Sequence, residues 1–204
     1  MFISFEGIDY SGKTTQAKLL VDRLKLAGKE VLFLREPGGT KISEKIRDIL
    51  LDKLHLEMQQ KTELFLFSAA RTQLVSEVIA PALKRNVIVV CDRFYDSTTA
   101  YQGFGRGLDL NDIERVNLIA TSGTIPDVTV LVDIEVDEIA RRRRIVGLAE
   151  DRMESGGKKF YENVRRGYLS IAQKEPGRFF RIDGLLPILT LHEKIWSIVQ
   201  QRLP

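Results

Sequence analysis

An α/β fold is predicted, three layers deep (helix, sheet, helix), around a five-stranded parallel sheet. Five short apolar runs alternate with helix-length amphipathic segments, the pattern of strands joined by right-handed crossovers. The runs at 31–34, 87–91 and 128–132 are nearly continuous, as strands covered on both faces must be. The chain's 204 residues, 44% of them hydrophobic, suffice for one substantial core, so one domain spanning 1–204 is expected.

The elements follow in order. Residues 2–5 form the first strand and lead into Gly7-Ile8-Asp9-Tyr10-Ser11-Gly12-Lys13-Thr14, a full match to G-x-x-x-x-G-K-[ST]. Ala17, Leu20, Val21 and Leu24 recur at helical spacing, so 13–27 is a helix. After the strand at 31–34, Pro37-Gly38-Gly39 marks a loop, and helices are expected at 43–51 and 61–83. The strand at 87–91 is followed by a glycine-punctuated loop at 103–107 and a helix at 112–120. The rest reads as strand 128–132, helix 136–145, a Gly156-Gly157 break, helix 160–173, strand 179–182 and helix 189–203. There is no internal repeat and no low-complexity linker.

Strand, glycine loop and helix is the context in which this motif binds phosphate. Glycines let backbone N–H groups curl round phosphate oxygens, and the helix start adds a favourable dipole. The fold is therefore read as a P-loop NTPase fold, with the triphosphate held by 7–14 and the adjoining Thr15. Lys13 would reach the outer phosphates and the Thr14 hydroxyl would hold Mg²⁺. The apolar runs also end in Glu6, Arg35-Glu36, Asp92-Arg93 and Asp133. In open α/β sheets ligands lie beyond the carboxyl ends of strands, so these residues should converge on one rim beside the loop.

Other features narrow the class. No apolar run is long enough to span a bilayer, and Met1-Phe2-Ile3 begins directly on a strand without a basic leader, so a cytoplasmic protein with no membrane partner is expected. Cys91 is the only cysteine, which excludes a disulfide or structural zinc framework. Net charge is +3, with cations concentrated at Arg141, Arg142, Arg143, Arg144, Arg152, Lys158, Lys159, Arg165 and Arg166. Aromatic residues are not interleaved there, so a polyphosphate is a better match than a nucleic acid. No Asn-Lys-x-Asp motif reads guanine, and the third strand ends Asp92-Arg93-Phe94 rather than in the Asp-Glu of motor ATPases.

Phe5-Glu6-Gly7, Arg35-Glu36-Pro37-Gly38-Gly39-Thr40, Leu66-Phe67-Ser68-Ala69-Ala70-Arg71, Asp92-Arg93-Phe94 and Ala100-Tyr101-Gln102-Gly103-Phe104-Gly105-Arg106-Gly107-Leu108 together resemble the thymidylate kinase family, bacterial type, along essentially the whole chain. The resemblance implies a nucleoside monophosphate kinase-like fold with a short lid, near 141–157. It implies transfer of the γ-phosphoryl group of ATP to dTMP, giving dTDP and ADP with Mg²⁺, in dTTP biosynthesis, by a homodimer. It gives Lys13, Asp9 and Arg93 catalytic roles: Lys13 at the transferred group, Asp9 at the sugar 3′-hydroxyl, and Arg93 on the acceptor phosphate. Asp92 would act with Thr14 on the metal. Around dTMP it places Asp9, Glu36, Arg47, Phe67, Arg71, Arg93, Thr98, Tyr101 and Gln102. Phe67 would stack on thymine and Arg71 donate to its carbonyl. Arg47 would face the phosphate, Thr98 and Gln102 would touch the base, and Tyr101 at C2′ would exclude a ribose hydroxyl.

Tyr10 departs from the family, where glycine or a basic residue is common. The missing cation is expected from the lid, where Asp151-Arg152-Met153-Glu154 resembles the bacterial lid motif. Arg152 is the expected catalytic arginine, Arg143 and Arg144 are its rivals (Arg143 also an ATP contact), and Arg141 and Arg142 read as a solvated helix face. Another nucleoside or nucleotide kinase is one alternative. A nucleotide-binding module without transfer activity is the other, favoured only by Tyr10. His55, His192 and Trp196 are given no chemical role.

Overall fold

β-Branched and aromatic runs form five strands: β1 Phe2–Glu6, β2 Val31–Arg35, β3 Ile88–Asp92, β4 Val128–Asp133 and β5 Phe179–Asp183. The computed structural model describes residues 1–146, 152–153 and 156–203, without the Val146 side chain. Gly147, Asp151 and Glu154 of the expected lid lie outside the described residues. All pairings are parallel, in the order β2-β3-β1-β4-β5. The register opposes Phe5 to Asp92 and Glu6 to Leu131, which brings the polar strand ends onto one rim. The middle strand is β1; β3, which carries Asp92, lies beside it.

Every residue of β1, β3 and β4 is buried, which explains their unbroken apolar sequences. On one face, helix α1 (Lys13–Leu26) buries Ala17, Leu20, Val21 and Leu24 with Leu191, Ile195 and Val199 of the final helix, α9 (Ile188–Gln200). Trp196 packs against this core with the Arg23 guanidinium 4.4 Å over its ring.

The other face of the sheet packs against Leu74, Val75, Ile79 and Ala82. Helix α2 runs Lys41–Leu51, starting two residues before the expected 43 because Thr40 caps it, its Oγ1 accepting from the Ser43 N–H at 3.1 Å. The expected helix 61–83 is a composite. Helix α3 (Gln60–Leu74) widens into a π-helical turn at Val75–Ile79 and resumes as α4 (Ala80–Lys84). Pro81 offers no N–H and would collide with the carbonyl four residues back; the wide turn makes room for it.

After β3 the chain is more helical than its glycines suggest: α5 (Tyr95–Thr98) runs into a second π-helical stretch, Thr99–Gly105. Gly105 belongs there because a Cβ would sit 2.6 Å from Phe160 of α8 (which spans Gly157–Lys174), so only glycine allows the approach. Between these lie α6 (Leu110–Thr121), capped by Asp109, and α7 (Asp137–Val146). Tyr101, Phe160, Tyr161, Val164 and Tyr168 join Ile8 in one buried cluster, which fixes α8 against the phosphate loop.

Candidate active site

Backbone geometry builds the loop first. Gly7 has φ 142°, and a Cβ there would meet the Val132 carbonyl oxygen at 2.5 Å; Gly12, at φ 96°, turns the chain into α1. Tyr10 is also left-handed, at φ 62°, and rests half-buried on the apolar cluster around Ile8 and Tyr161. A non-glycine residue held there costs about 1–3 kcal/mol, so the surrounding packing must hold it.

Lys13 opens α1 with its Nζ 3.5 Å from the Ile8 carbonyl and 3.9 Å from Asp9 Oδ1. Burial and the nearby Arg93 lower its pKa, while Asp9, Asp92 and Glu6 act to keep it charged. The Thr14 hydroxyl donates to Asp92 Oδ2 at 2.5 Å, and Asp92 Oδ1 is a buried oxygen with no hydrogen-bond partner among the described residues. A carboxylate oxygen so placed beside a P-loop hydroxyl fits a divalent cation that takes its other oxygen ligands from phosphate and water. Among the described residues no cluster of three His, Cys, Asp or Glu forms a self-sufficient metal cage.

From the loop a charged seam crosses to β3. Arg93, at φ 73°, donates to Asp9 Oδ1 at 2.6 Å, to the Gly7 carbonyl at 2.8 Å and to the Tyr101 hydroxyl at 3.2 Å. Asp9 also accepts from Tyr161 at 2.8 Å and Tyr101 at 3.1 Å. Burial alone would raise the Asp9 pKa; Arg93, Lys13 and the two tyrosines outweigh it, so the carboxyl stays ionised.

Beyond the seam opens a cleft. Asp9, Glu36, Arg47, Phe67, Arg71, Arg93, Thr98, Tyr101 and Gln102, all nine residues read from the sequence as acceptor contacts, line it. Pro37, Leu51, Ser97 and Met153 complete the wall. Arg71 is buried with its Nε 2.5 Å from Glu36 Oε1, while its Nη1 donates to Asn117 and its Nη2 to Thr98. Burial raises the Glu36 pKa, opposed chiefly by Arg71. Arg47 donates to the Pro37 carbonyl at 3.0 Å. Tyr10 is not among the residues lining this cleft.

Two arginines stand elsewhere than the sequence suggested. Arg152 does not join the phosphate loop: it is buried, with Nη1 2.7 Å from Glu63 Oε2 and Nε donating to the Leu50 carbonyl at 2.8 Å. A guanidinium leaving water needs an anionic partner, and Glu63 supplies it. Arg142, read as solvated, instead reaches the loop, donating to the Tyr10 and Ser11 carbonyls at 3.1 and 3.0 Å and to Gly184 at 2.8 Å. Arg143 is half-buried on the last turn of α7, whereas Arg141 and Arg144 are exposed.

The sequence reading also missed Tyr161 and Ser97, and gave Glu6 a place on the rim without its partners. Tyr161 reads as part of α8's apolar stripe, and only folding reveals that its hydroxyl reaches Asp9 across 152 residues. Glu6 accepts from the Phe94 N–H at 2.7 Å, Ser97 Oγ at 2.6 Å and Tyr168 OH at 2.9 Å, beneath the Arg93 turn.

Comparison with known proteins agrees with this arrangement. The family described as thymidylate kinase matches residues 5–195. The thymidylate kinase of Pelodictyon phaeoclathratiforme is 47% identical, over 100% of this chain and 97% of that protein. The one from Caldanaerobacter subterraneus subsp. tengcongensis is also 47% identical, over 99% and 96%. The crystal structure of thymidylate kinase from Ehrlichia chaffeensis superposes with a TM-score of 0.79 at 36% identity, covering 98% of each chain. A phosphate-loop motif, a cleft joined to it by Lys13, Asp9 and Arg93, and relatives that match along nearly their full length lead to one conclusion: this chain belongs to the thymidylate kinase family.

Proposed function

We propose that this protein transfers the γ-phosphoryl group of ATP to dTMP, giving dTDP and ADP, in dTTP biosynthesis. The observation that carries the reading is the seam itself. Lys13, at the loop, and Arg93, in the acceptor cleft, flank a single carboxylate, Asp9, at 3.9 and 2.6 Å. Donor and acceptor phosphates bound on either side of that seam are close enough for direct displacement.

Phosphoryl transfer asks a protein chiefly for positioning and for charge where charge develops. Backbone N–H groups of the loop hold the triphosphate and Lys13 sits at the transferred group. Arg93 presents its guanidinium to the acceptor phosphate, where two N–H groups bind two oxygens at once. An acceptor oxygen then forms a bond to the γ-phosphorus while the bond to the β–γ bridging oxygen breaks. Asp9 receives the 3′-hydroxyl, Phe67 stacks on the base, and Tyr101 fills the space a 2′-hydroxyl would need. Thr14 and Asp92 would hold Mg²⁺, which when bound neutralises phosphate charge.

A coupled ADP-release assay with dTMP, dUMP, dCMP, dGMP and thymidine tests the reading. The highest kcat/KM is expected for dTMP, and preference for any other acceptor defeats it. The remaining parts of the proposal are a homodimer, a cytoplasmic location and no nucleic acid partner. Ile42 and Ile49 of α2, Phe65 of α3, and Leu118 and Ile119 of α6 are exposed, which supports burial against a second copy. Light scattering that returns only monomer mass would remove that part. No described helix is long and apolar enough to cross a membrane.

A further inference from the structure

Glu63 touches no part of the seam, yet it is among the most enclosed charges in the molecule. It lies in the first turn of α3, 1% exposed, behind the wall of the acceptor cleft. Gln102 Nε2 donates to its Oε1 at 2.8 Å. Arg106 approaches both oxygens, at 3.1 and 3.2 Å, and Arg152 stands 2.7 Å from Oε2.

We infer that Glu63 is a positioning residue for base selection: it locks the Gln102 side-chain amide with nitrogen turned away from the cleft and oxygen turned into it. The inference rests on the proposed function, in which the base of the acceptor lies against Gln102. An amide is two-faced, donating from nitrogen and accepting at oxygen, and its orientation follows its neighbours. Glu63 is the fixed neighbour. Burial favours its neutral form, but Arg106, Gln102 and Arg152 outweigh this and lower its pKa, so at neutral pH it can only accept. Turning Gln102 over would set its oxygen against a carboxylate oxygen and forfeit a charge-assisted hydrogen bond.

Gln102 lines the cleft beside Phe67, Arg71 and Thr98, and its Oε1 takes no hydrogen bond from a described residue. The wall therefore offers an acceptor, Gln102 Oε1, next to a donor, Arg71. That pair suits the imide edge of a pyrimidine, a ring N3–H beside a C4 carbonyl, as in thymine or uracil. Cytosine presents an acceptor at N3 and a donor at C4, and both would meet their like. A site whose buried polar groups are left unpaired by the wrong base discriminates strongly.

The test is the ratio of kcat/KM for dTMP to that for dCMP in the full-length enzyme. Glu63→Gln keeps the shape but lets residue 63 donate or accept, so Gln102 can turn over. The ratio should fall by about tenfold or more, while the KM for ATP stays within about twofold. The exchange variant Glu63→Gln with Gln102→Glu sets an amide donor at 63 against a carboxylate at 102, whose other oxygen is again an acceptor in the cleft. It should restore the preference, and it serves as the test where the single variant does not fold. A Glu63→Gln enzyme that loses activity on both acceptors equally, or an exchange variant that accepts dCMP as readily as dTMP, overturns the assignment. A wild-type enzyme without preference for dTMP overturns the function and this assignment together. A wild-type preference that survives Glu63→Gln overturns only the role of Glu63.

Discussion

Replacing Glu6 by Gln should flatten a stability profile that otherwise falls as pH rises. Glu6 is fully buried at the end of β1; burial, together with nearby Asp96, pushes its carboxyl from 4.5 up to about 8, against the opposing pull of Ser97, Arg93 and the Phe94 N–H. The unfolded chain releases this proton near 4.5, so between 4.5 and about 8 the native state holds a proton that the unfolded state has lost. Stability from this group is thus fully present below 4.5 and drains away as pH rises, levelling off above about 8. The steepest slope is about 1.4 kcal/mol per pH unit, and the whole window has a ceiling of about 5 kcal/mol. That ceiling is comparable with the total stability of an ordinary domain. Gln cannot titrate but keeps the shape and an acceptor for Ser97 or Tyr168. Urea unfolding of both proteins, followed by circular dichroism from about pH 5 to about pH 8.5, isolates the effect, because titrations shared by both cancel in the difference. The variant's stability relative to wild type should climb by several kcal/mol toward alkaline pH. A difference that stays level across that range would refute the reasoning.

The remaining predictions concern the site. Asp92→Asn should raise the Mg²⁺ concentration for half-maximal activity about tenfold or more, as weakened metal ligation does elsewhere, with the KM for dTMP little changed; a magnesium titration reads it directly. Tyr161→Phe removes one hydrogen bond from Asp9, worth about 1 kcal/mol, so kcat/KM for dTMP should drop about fivefold while the KM for ATP holds. Arg152→Ala should raise the KM for dTMP and lower the melting temperature, since it deprives buried Glu63 of a cation, and kcat should fall less than about tenfold. A loss of about 10³ in kcat at saturating dTMP would instead return Arg152 to the triphosphate.

What could be read in advance follows how local each signal is. The five strands and their parallel pairing announce themselves because β1, β3 and β4 are buried along their whole length, so their composition carries no competing message. The phosphate loop is legible because its conformation depends on glycines within a few residues, as Gly7 shows with no space for a Cβ. The π-helical stretch at Thr99–Gly105 was hidden by the same residue type: Gly103 and Gly105 look like a loop, yet they are there for close contact with Leu110 and Phe160. Arg142 and Arg152 were misplaced because a guanidinium's partner lies far off in sequence. Arg142 meets carbonyls 132 and 131 residues away, and Arg152 meets one 102 residues away. Nothing in a run of four arginines tells which of them turns inward.

The distribution of charge explains why the site tolerates a buried lysine beside a half-buried arginine. Burial lowers the Lys13 pKa, and Arg93 lowers it further. Asp9 lies between them as the common counter-ion, held in turn by two tyrosine hydroxyls from different elements, Tyr101 and Tyr161. The carboxylate therefore does structural work before any substrate chemistry: it favours the charged form of Lys13 and fixes where Arg93 points. Glu6 adds a second support from below, through Ser97 and Tyr168, both of which receive Arg93 hydrogen bonds. Arg93 is thus oriented from two sides before phosphate arrives. A preset guanidinium spends little reorganisation at the moment of transfer, and that is the form of electrostatic help phosphoryl transfer rewards most.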